Sequence, residues 1–164
     1  ARLRAAQLGG GDPVAAPRGY GVYCDAGDWQ LASASPELFF ARSGRTLVAR
    51  PMKGTAARGR WSDEDDARAA ALRASEKERA ENVMIVDLLR NDLARVAEPG
   101  SVHVPSLFDV ERYPTVWQMT STIAATARPG TTLADAFAAL FPCGSVTGAP
   151  KVAAMRRIAA VERS

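Results

Sequence analysis

From Ser75 to Val96 the chain reads SEKERAENVMIVDLLRNDLARV, and this stretch limits what the rest can be. Ser75 followed by Glu78 fits a capping box, in which two amides left open at a helix start are satisfied reciprocally, so a helix is predicted from Ser75 to near Ala97. Val83, Met84, Ile85, Val86, Leu88, Leu89, Leu93 and Val96 make it apolar almost all round, and a helix of that kind is predicted to be covered over most of its surface. Ser62 with Asp65 predicts a second helix ending near Ala74. Thr132 with Asp135 predicts a third, through Phe141, where Pro142 stops it.

The flanking segments read as strands. Between Tyr20 and Pro51 the runs YGVYCD, WQLASA, ELFFAR and TLVAR are short and β-like, with a turn at Ser43-Gly44 and Pro51 ending the last. After a loop at Pro99-Gly100, DVERY and TVWQMTSTIAATA add two more. CGSVTG, at 143 to 148, reads as a turn into a final helix with Pro150 at its first position and Val152, Met155 and Ile158 down one face. Strands, helices, strands, helices predict an α+β fold of antiparallel sheets with flanking helices rather than a regular doubly wound sheet. Residues 1–18, rich in Ala, Gly, Pro and Arg without apolar periodicity, read as a linker or residual segment, and 19–164 as one partial domain.

Composition narrows the class. With 164 residues, 47% hydrophobic and 24% charged, the chain can bury a core, which excludes collagen, coiled coil and wholesale disorder. No apolar run approaches the roughly 18 residues of a membrane span, and the opening ARLRAAQLGGG has no hydrophobic stretch of signal-peptide type, so no membrane partner and a cytoplasmic location are expected. The start at Ala1 rather than Met suggests a fragment. Cys24 and Cys143 have no CxxC spacing and are expected to be free thiols, neither a disulfide framework nor a zinc site. Lys and Arg number 21 against 18 Asp and Glu, a net charge of +3, but they alternate with acids in RWSDEDDARAAALRASEKERAEN. No nucleic acid partner is therefore predicted; the slight excess suits a small anionic substrate.

Several residues could carry chemistry. Glu81 shares a helix face with Met84, Ile85 and Leu88 and is a candidate metal or substrate ligand. Asp87 and Asp92 are expected to form structural ion pairs with Arg90, Arg95 or backbone donors. Lys53, in PMKGT, reads either as a solvated surface group or as a nucleophile in an apolar pocket; lowering its pKa by about 3 units would cost roughly 4 kcal/mol. In CGSVTGAPK the amides of Thr147, Gly148 and Ala149 could meet an anion at a helix start, or form a plain cap. The spacing is not that of a Walker motif, Lys151 falls inside the helix, and a carboxylate fits better than a nucleotide. His103, the sole histidine, falls in a predicted loop and gives a Ser-His-Asp or Cys-His mechanism little support.

Taken in order, SPELFF, RPMKGT, SEKERAENVMIVDLLRNDLARV, EPGSV and PCGSVTGAPK resemble the chorismate-utilising enzymes, from about Gly19 to Glu162. Within them the stretch resembles the aminodeoxychorismate synthase component I branch, since anthranilate synthases carry Ala where Lys53 stands. The resemblance implies Mg2+-dependent amination of chorismate at C4, toward p-aminobenzoate and folate, with ammonia from a separate glutamine amidotransferase. It implies that Lys53 attacks C2, that Glu37 is the acid and base at the departing hydroxyl, and that Glu81 holds Mg2+. Thr55, Gly144, Ser145, Thr147, Gly148, Ala149 and Lys151 would bind substrate. Gln118 stands where the family often has His, and Cys143 where Gly is usual. The family's component is longer, adding a Tyr, an Arg and a second metal carboxylate after the matched region, so the 164-residue chain is expected to be inactive alone. Anthranilate synthase component I is the alternative within the family; an inactive truncated protein of the same fold is the alternative outside catalysis.

Overall fold

The computed structural model describes residues 2–4, 19–148 and 150–162. The chain divides into two compact units, Ala1–Leu38 and Phe39–Ser164. In the first, β1 (Arg2–Arg4), β2 (Tyr20–Asp25) and β3 (Gln30–Ser35) form an antiparallel sheet in the order β1-β2-β3. The β2–β3 turn is held by the Asp25 carboxylate, which accepts from the Gly27 amide at 2.9 Å, and Gly27 takes the left-handed φ of +90° that a glycine adopts at no steric cost. Arg2–Arg4, in the segment read as a linker, pair with β2 from Arg2↔Asp25 to Arg4↔Tyr23. Ala1 and residues 5–18 lie outside the described residues.

The second unit is organised by one long strand. β4 (Leu38–Ser43), β5 (Thr46–Arg50), β6 (Met52–Ala57), β7 (His103–Arg112) and β8 (Val116–Thr126) form its sheet, with helices α1 (Ser62–Ala74) and α2 (Glu76–Ala94) between β6 and β7. Then come α3 (Leu133–Leu140), the single turn α4 (Gly144–Thr147) and α5 (Lys151–Val161). β7 runs antiparallel along β8, and β5 and β6 pair with it in tandem, Thr46↔Thr126 to Ala49↔Ile123 and then Met52↔Thr120 to Ala57↔Val116.

Pro51 therefore does not end the β structure as its missing amide suggests. Its carbonyl still accepts from the Ser121 amide at 3.2 Å, so the ladder loses one donor and resumes at Met52. The expected DVERY strand is likewise the end of a longer one, and His103 opens that strand rather than lying in a loop.

Helix starts divide by what their polar residues find nearby. Thr132 and Asp135 form the full capping box, the Thr132 hydroxyl accepting from the Asp135 amide at 3.1 Å and the Asp135 carboxylate from the Thr132 amide at 2.8 Å. Ser75 caps α2, accepting from the Glu78 amide at 3.4 Å. Ser62 does not cap α1. Trp61 is the N-cap there, and the Asp65 carboxylate instead binds the Arg58 guanidinium through two oxygens, the Gly59 amide at 2.8 Å and the Trp117 indole N–H at 2.8 Å. A bidentate charged partner outweighs one capping bond. At the other end of the chain Pro150 is the N-cap of α5 rather than its first helical residue.

The core lies between one sheet face and the helices. Leu47 and Ala49 of β5 and Ile123 and Ala125 of β8 meet Ile85, Val86, Leu89 and Leu93 of α2, with Ala136, Ala139 and Leu140 of α3 closing the end. Each fully buried Leu or Ile contributes about 1.5–3 kcal/mol. The expectation that α2 is covered nearly all round is corrected: its buried stripe runs through Asn82, Ile85, Val86, Leu89 and Leu93, while Val83 and Met84 are 37% and 50% exposed. One sheet face and two short helices do not reach around the whole cylinder.

Candidate functional site

The register of β6 slips between Met52 and Thr55, and Lys53 and Gly54 occupy the irregularity. Such a bulge adds a residue and re-aims the side chains around it. Gly54 has a φ of +104°, and a Cβ there would stand 3.1 Å from Met119 Cβ and 3.3 Å from Glu78 Cβ. Only glycine combines that backbone with so close an approach of the first turn of α2.

Asn82, 1% exposed on the same helix, fixes the bulge from behind. Its side-chain amide donates to the Lys53 carbonyl at 3.4 Å, and its oxygen accepts from the Ser121 hydroxyl at 2.5 Å. The Ser121 oxygen in turn accepts from the amide of Phe108, whose φ of 61° is unusual for a non-glycine residue. Lys53 itself is partly exposed, and the Thr55 hydroxyl donates to Gln118 Oε1 across the strand pair at 3.0 Å. Asn82 was not among the residues singled out from sequence. Its signal was there: an amide on the apolar stripe, in register with Ile85 and Leu89, has to find buried partners.

Glu81 follows directly on the partly exposed side of α2, its side chain 45% exposed and 4.0 Å from the Lys77 ammonium. Glu78, beside Gly54, lies one turn earlier. Among the described residues no cluster of three or more His, Cys, Asp or Glu is gathered. Two carboxylates one helical turn apart nevertheless suit a hard cation that keeps much of its water and takes one or two protein oxygens.

The far end of this helix face is closed by the 144–151 segment. Gly144 sits so tightly against Leu88 that any Cβ would overlap its methyl groups. From Glu78 to Leu88 is about 15 Å along the axis and, at about 100° per residue, an arc of about 80°, so the Lys53 bulge and Gly144 flank the same strip, with Glu81 and Met84 between them. The free-amide expectation for this segment is corrected. The amides of Thr147 and Gly148 close on the carbonyls of Cys143 and Gly144 at 3.2 and 2.9 Å, because the residues form a helical turn. The amides of Gly144 and Ser145 are the ones a turn leaves without an acceptor of its own. Ser145 Oγ is 3.0 Å from the free thiol of Cys143. Ala149 lies outside the described residues.

Lys151 is not solvent-facing. Its ammonium donates to the Leu140 carbonyl at 3.0 Å and stands 2.5 Å from Asp92 Oδ2, with both side chains about nine-tenths buried (9% and 10% exposed). Burial pushes the Asp92 carboxyl above its ordinary value, and the Lys151 and Arg95 charges oppose the shift. Asp92 was expected to pair with a neighbouring Arg or backbone donor, and its partner is Lys151 instead; Asp87 does pair with Arg90, at 2.9 Å, in the open. Glu37 belongs to the first unit, where its amide donates to the Ser35 hydroxyl at 3.2 Å and its carbonyl accepts from it at 3.1 Å.

Comparison with known proteins bears on this arrangement as a whole. Residues 14–164 match the profile of the chorismate binding enzyme family. The chain is 50% identical over 135 residues to a probable aminodeoxychorismate synthase, chloroplastic, of Oryza sativa subsp. japonica, covering 82% of this chain and 15% of that protein. It is 42% identical over 147 residues to anthranilate synthase component 1 of Saccharomyces cerevisiae, covering 89% of this chain and 29% of that one. The crystal structure of anthranilate synthase component I from Streptococcus pneumoniae superposes with a TM-score of 0.75 at 38% identity, over 89% of this chain and 32% of that one. The chain thus spans less than a third of the length of each of these relatives.

Proposed function

The chain belongs to the chorismate binding enzyme family, and on that premise we propose that the protein carrying it converts chorismate and ammonia to 4-amino-4-deoxychorismate and water. The observation that carries the reading is Lys53 on the β6 bulge, its carbonyl tied to Asn82 and the next helix turn presenting Glu81. The Lys53 amine attacks C2 of chorismate, both ring double bonds shift, from C1=C2 and C5=C6 to C1=C6 and C4=C5, and the C4–O bond breaks as Glu37 protonates the departing hydroxyl. Ammonia then adds at C4, both double bonds shift back, and the C2–N bond to Lys53 breaks, its electrons returning to the lysine amine as it takes the proton that the new C4 amine gives up. A glutamine amidotransferase partner supplies the ammonia.

In this reading Glu81, with Glu78 a turn away, would hold Mg2+, which when bound offsets the charge of a dianionic substrate. Thr55 and the turn of Gly144, Ser145, Thr147 and Gly148 would form the substrate-binding wall, the Gly144 and Ser145 amides facing a carboxylate, with Lys151 anchored behind it. The expected family His is replaced by Gln118, which can accept or donate a hydrogen bond but cannot act as an imidazolium. Its oxygen already accepts from Thr55, which supports an orienting role for the pair. A cytoplasmic location is likewise a proposal, since the rice relative is chloroplastic.

Anthranilate synthesis is the second reading, favoured by the likeness to the yeast and pneumococcal proteins. It places nitrogen at C2, where a lysine nucleophile has no use, so Lys53 supports amination at C4. The test is the product: the full-length protein given chorismate, Mg2+ and ammonium is expected to form 4-amino-4-deoxychorismate. Anthranilate as sole product would overturn the C4 assignment.

A further inference from the structure

The Lys151 ammonium has two fixed partners: it is ion-paired with the Asp92 carboxylate in the last turns of α2 and donates to the carbonyl of Leu140 at the end of α3. Both side chains are about nine-tenths buried, at 9% and 10% exposure. Leu88 and Asp92 are one helical turn apart, so they point the same way from α2. Gly144 is seated on Leu88 and Lys151 on Asp92. The segment between them is thus docked at both ends on consecutive turns of the helix that carries Glu81 two turns further back. Between the docks, the Thr147 and Gly148 amides are closed internally, and Gly148 takes a φ of +87° that lets the chain turn toward α5.

We infer that Lys151 and Asp92 are positioning residues: their buried pair holds the 144–148 turn on α2 in line with Glu81, and Lys151 does not itself bind the substrate. This rests on the chorismate reading above for the kinetic part of its test, and it defines the role of Lys151 behind the proposed wall. Removing either partner leaves the other charge buried and unpaired, which frees the segment to leave the helix face. A misplacement of about 1 Å in a binding segment can cost on the order of 100-fold.

The test uses the full-length enzyme with Asp92→Asn, Lys151→Met, the double variant and Lys151→Arg. Each of the first two is expected to raise KM for chorismate by roughly 10- to 100-fold, with a smaller fall in kcat. The double variant should be no worse than either single one, and Lys151→Arg, which keeps the charge, should recover most of the loss. Amide hydrogen exchange at 144–148 should quicken in Asp92→Asn while that of α2 stays slow. A normal KM in Asp92→Asn beside a lost one in Lys151→Met would make Lys151 a direct ligand and overturn the inference. Unchanged exchange at 144–148 in both would overturn it too, as would global loss of helical signal in Asp92→Asn, which would make the pair a pillar of the fold. If the enzyme turns over no chorismate at all, the function reading fails, and the exchange measurement still decides the role of the pair.

Discussion

Lys53 and Glu81 divide the proposed chemistry between an amine and a carboxylate, so each can be removed separately. Lys53→Ala in the full-length protein is expected to abolish C4 amination by at least 100-fold, while chorismate binding, followed by ligand-induced stabilisation, survives. Undiminished aminodeoxychorismate formation would return Lys53 to the surface. Glu81→Gln keeps the size and helix propensity of the side chain but offers a hard cation a poor ligand. The Mg2+ concentration for half-maximal activity should rise roughly tenfold or more, with Tm nearly unchanged, because Glu81 is 45% exposed and stands 4.0 Å from Lys77. An identical Mg2+ requirement would make Glu81 a solvated helix residue. From the residues alone Lys53 stays open between a surface group and a nucleophile, and the roles given to it and to Glu81 come from the motif resemblance, because glycine and capping patterns mark where elements bend and begin but not what faces a site. Asn82 was harder to see, because what it does depends on Ser121, distant in sequence and brought close only by the packing of α2 on β8.

At the scale of elements, the joint between β6, α1 and β8 hangs on Asp65. Its carboxyl is held well below the usual carboxylate range, first by the Arg58 guanidinium and then by the Gly59 amide and the Trp117 indole, against a burial effect in the other direction. A depressed folded-state pKa gives stability that is present above the unfolded value of about 3.9 and is lost as pH falls from there toward the folded value. Asp65→Asn should therefore lower Tm at pH 7 by more than Asp87→Asn does at the exposed Asp87–Arg90 pair. The gap between Asp65→Asn and the native protein should narrow below about pH 4. A gap that is constant from pH 7 to pH 3 in thermal melts would show that Asp65 acts by shape and not by charge. The same residue explains why the capping pattern succeeded at Thr132 and Ser75 and failed at Ser62. The pattern is local, while Arg58 follows β6 and Trp117 lies on β8, two strands whose meeting the sequence does not display. Strand β6 was missed for the same kind of reason: proline forbids a donor, yet the ladder around Pro51 needed only its carbonyl.

For the whole molecule, apolar periodicity made α5 visible, and the structure leaves that periodicity without a partner. Beyond the Lys151 side chain at its start, α5 buries nothing: Val152, Met155, Ile158 and Val161 are 61%, 41%, 40% and 80% exposed. Val146, on the turn before it, is 82% exposed, and Met84 of the site strip 50%. An uncovered apolar helix face of this kind drives association. A polypeptide of these 164 residues, expressed by itself, is expected to self-associate in light scattering after gel filtration, and Val152→Lys with Ile158→Glu should shift it toward the monomer. For a divalent cation the same polypeptide offers Glu78 and Glu81 on the α2 strip, with no larger acidic or histidine cluster among the described residues. It is therefore expected not to turn over chorismate with ammonium and Mg2+, even in the monomeric variant. A monomer that makes aminodeoxychorismate would show that Lys53, Glu81 and the docked 144–151 segment are sufficient, and that the longer relatives use their remaining length for something other than completing this site.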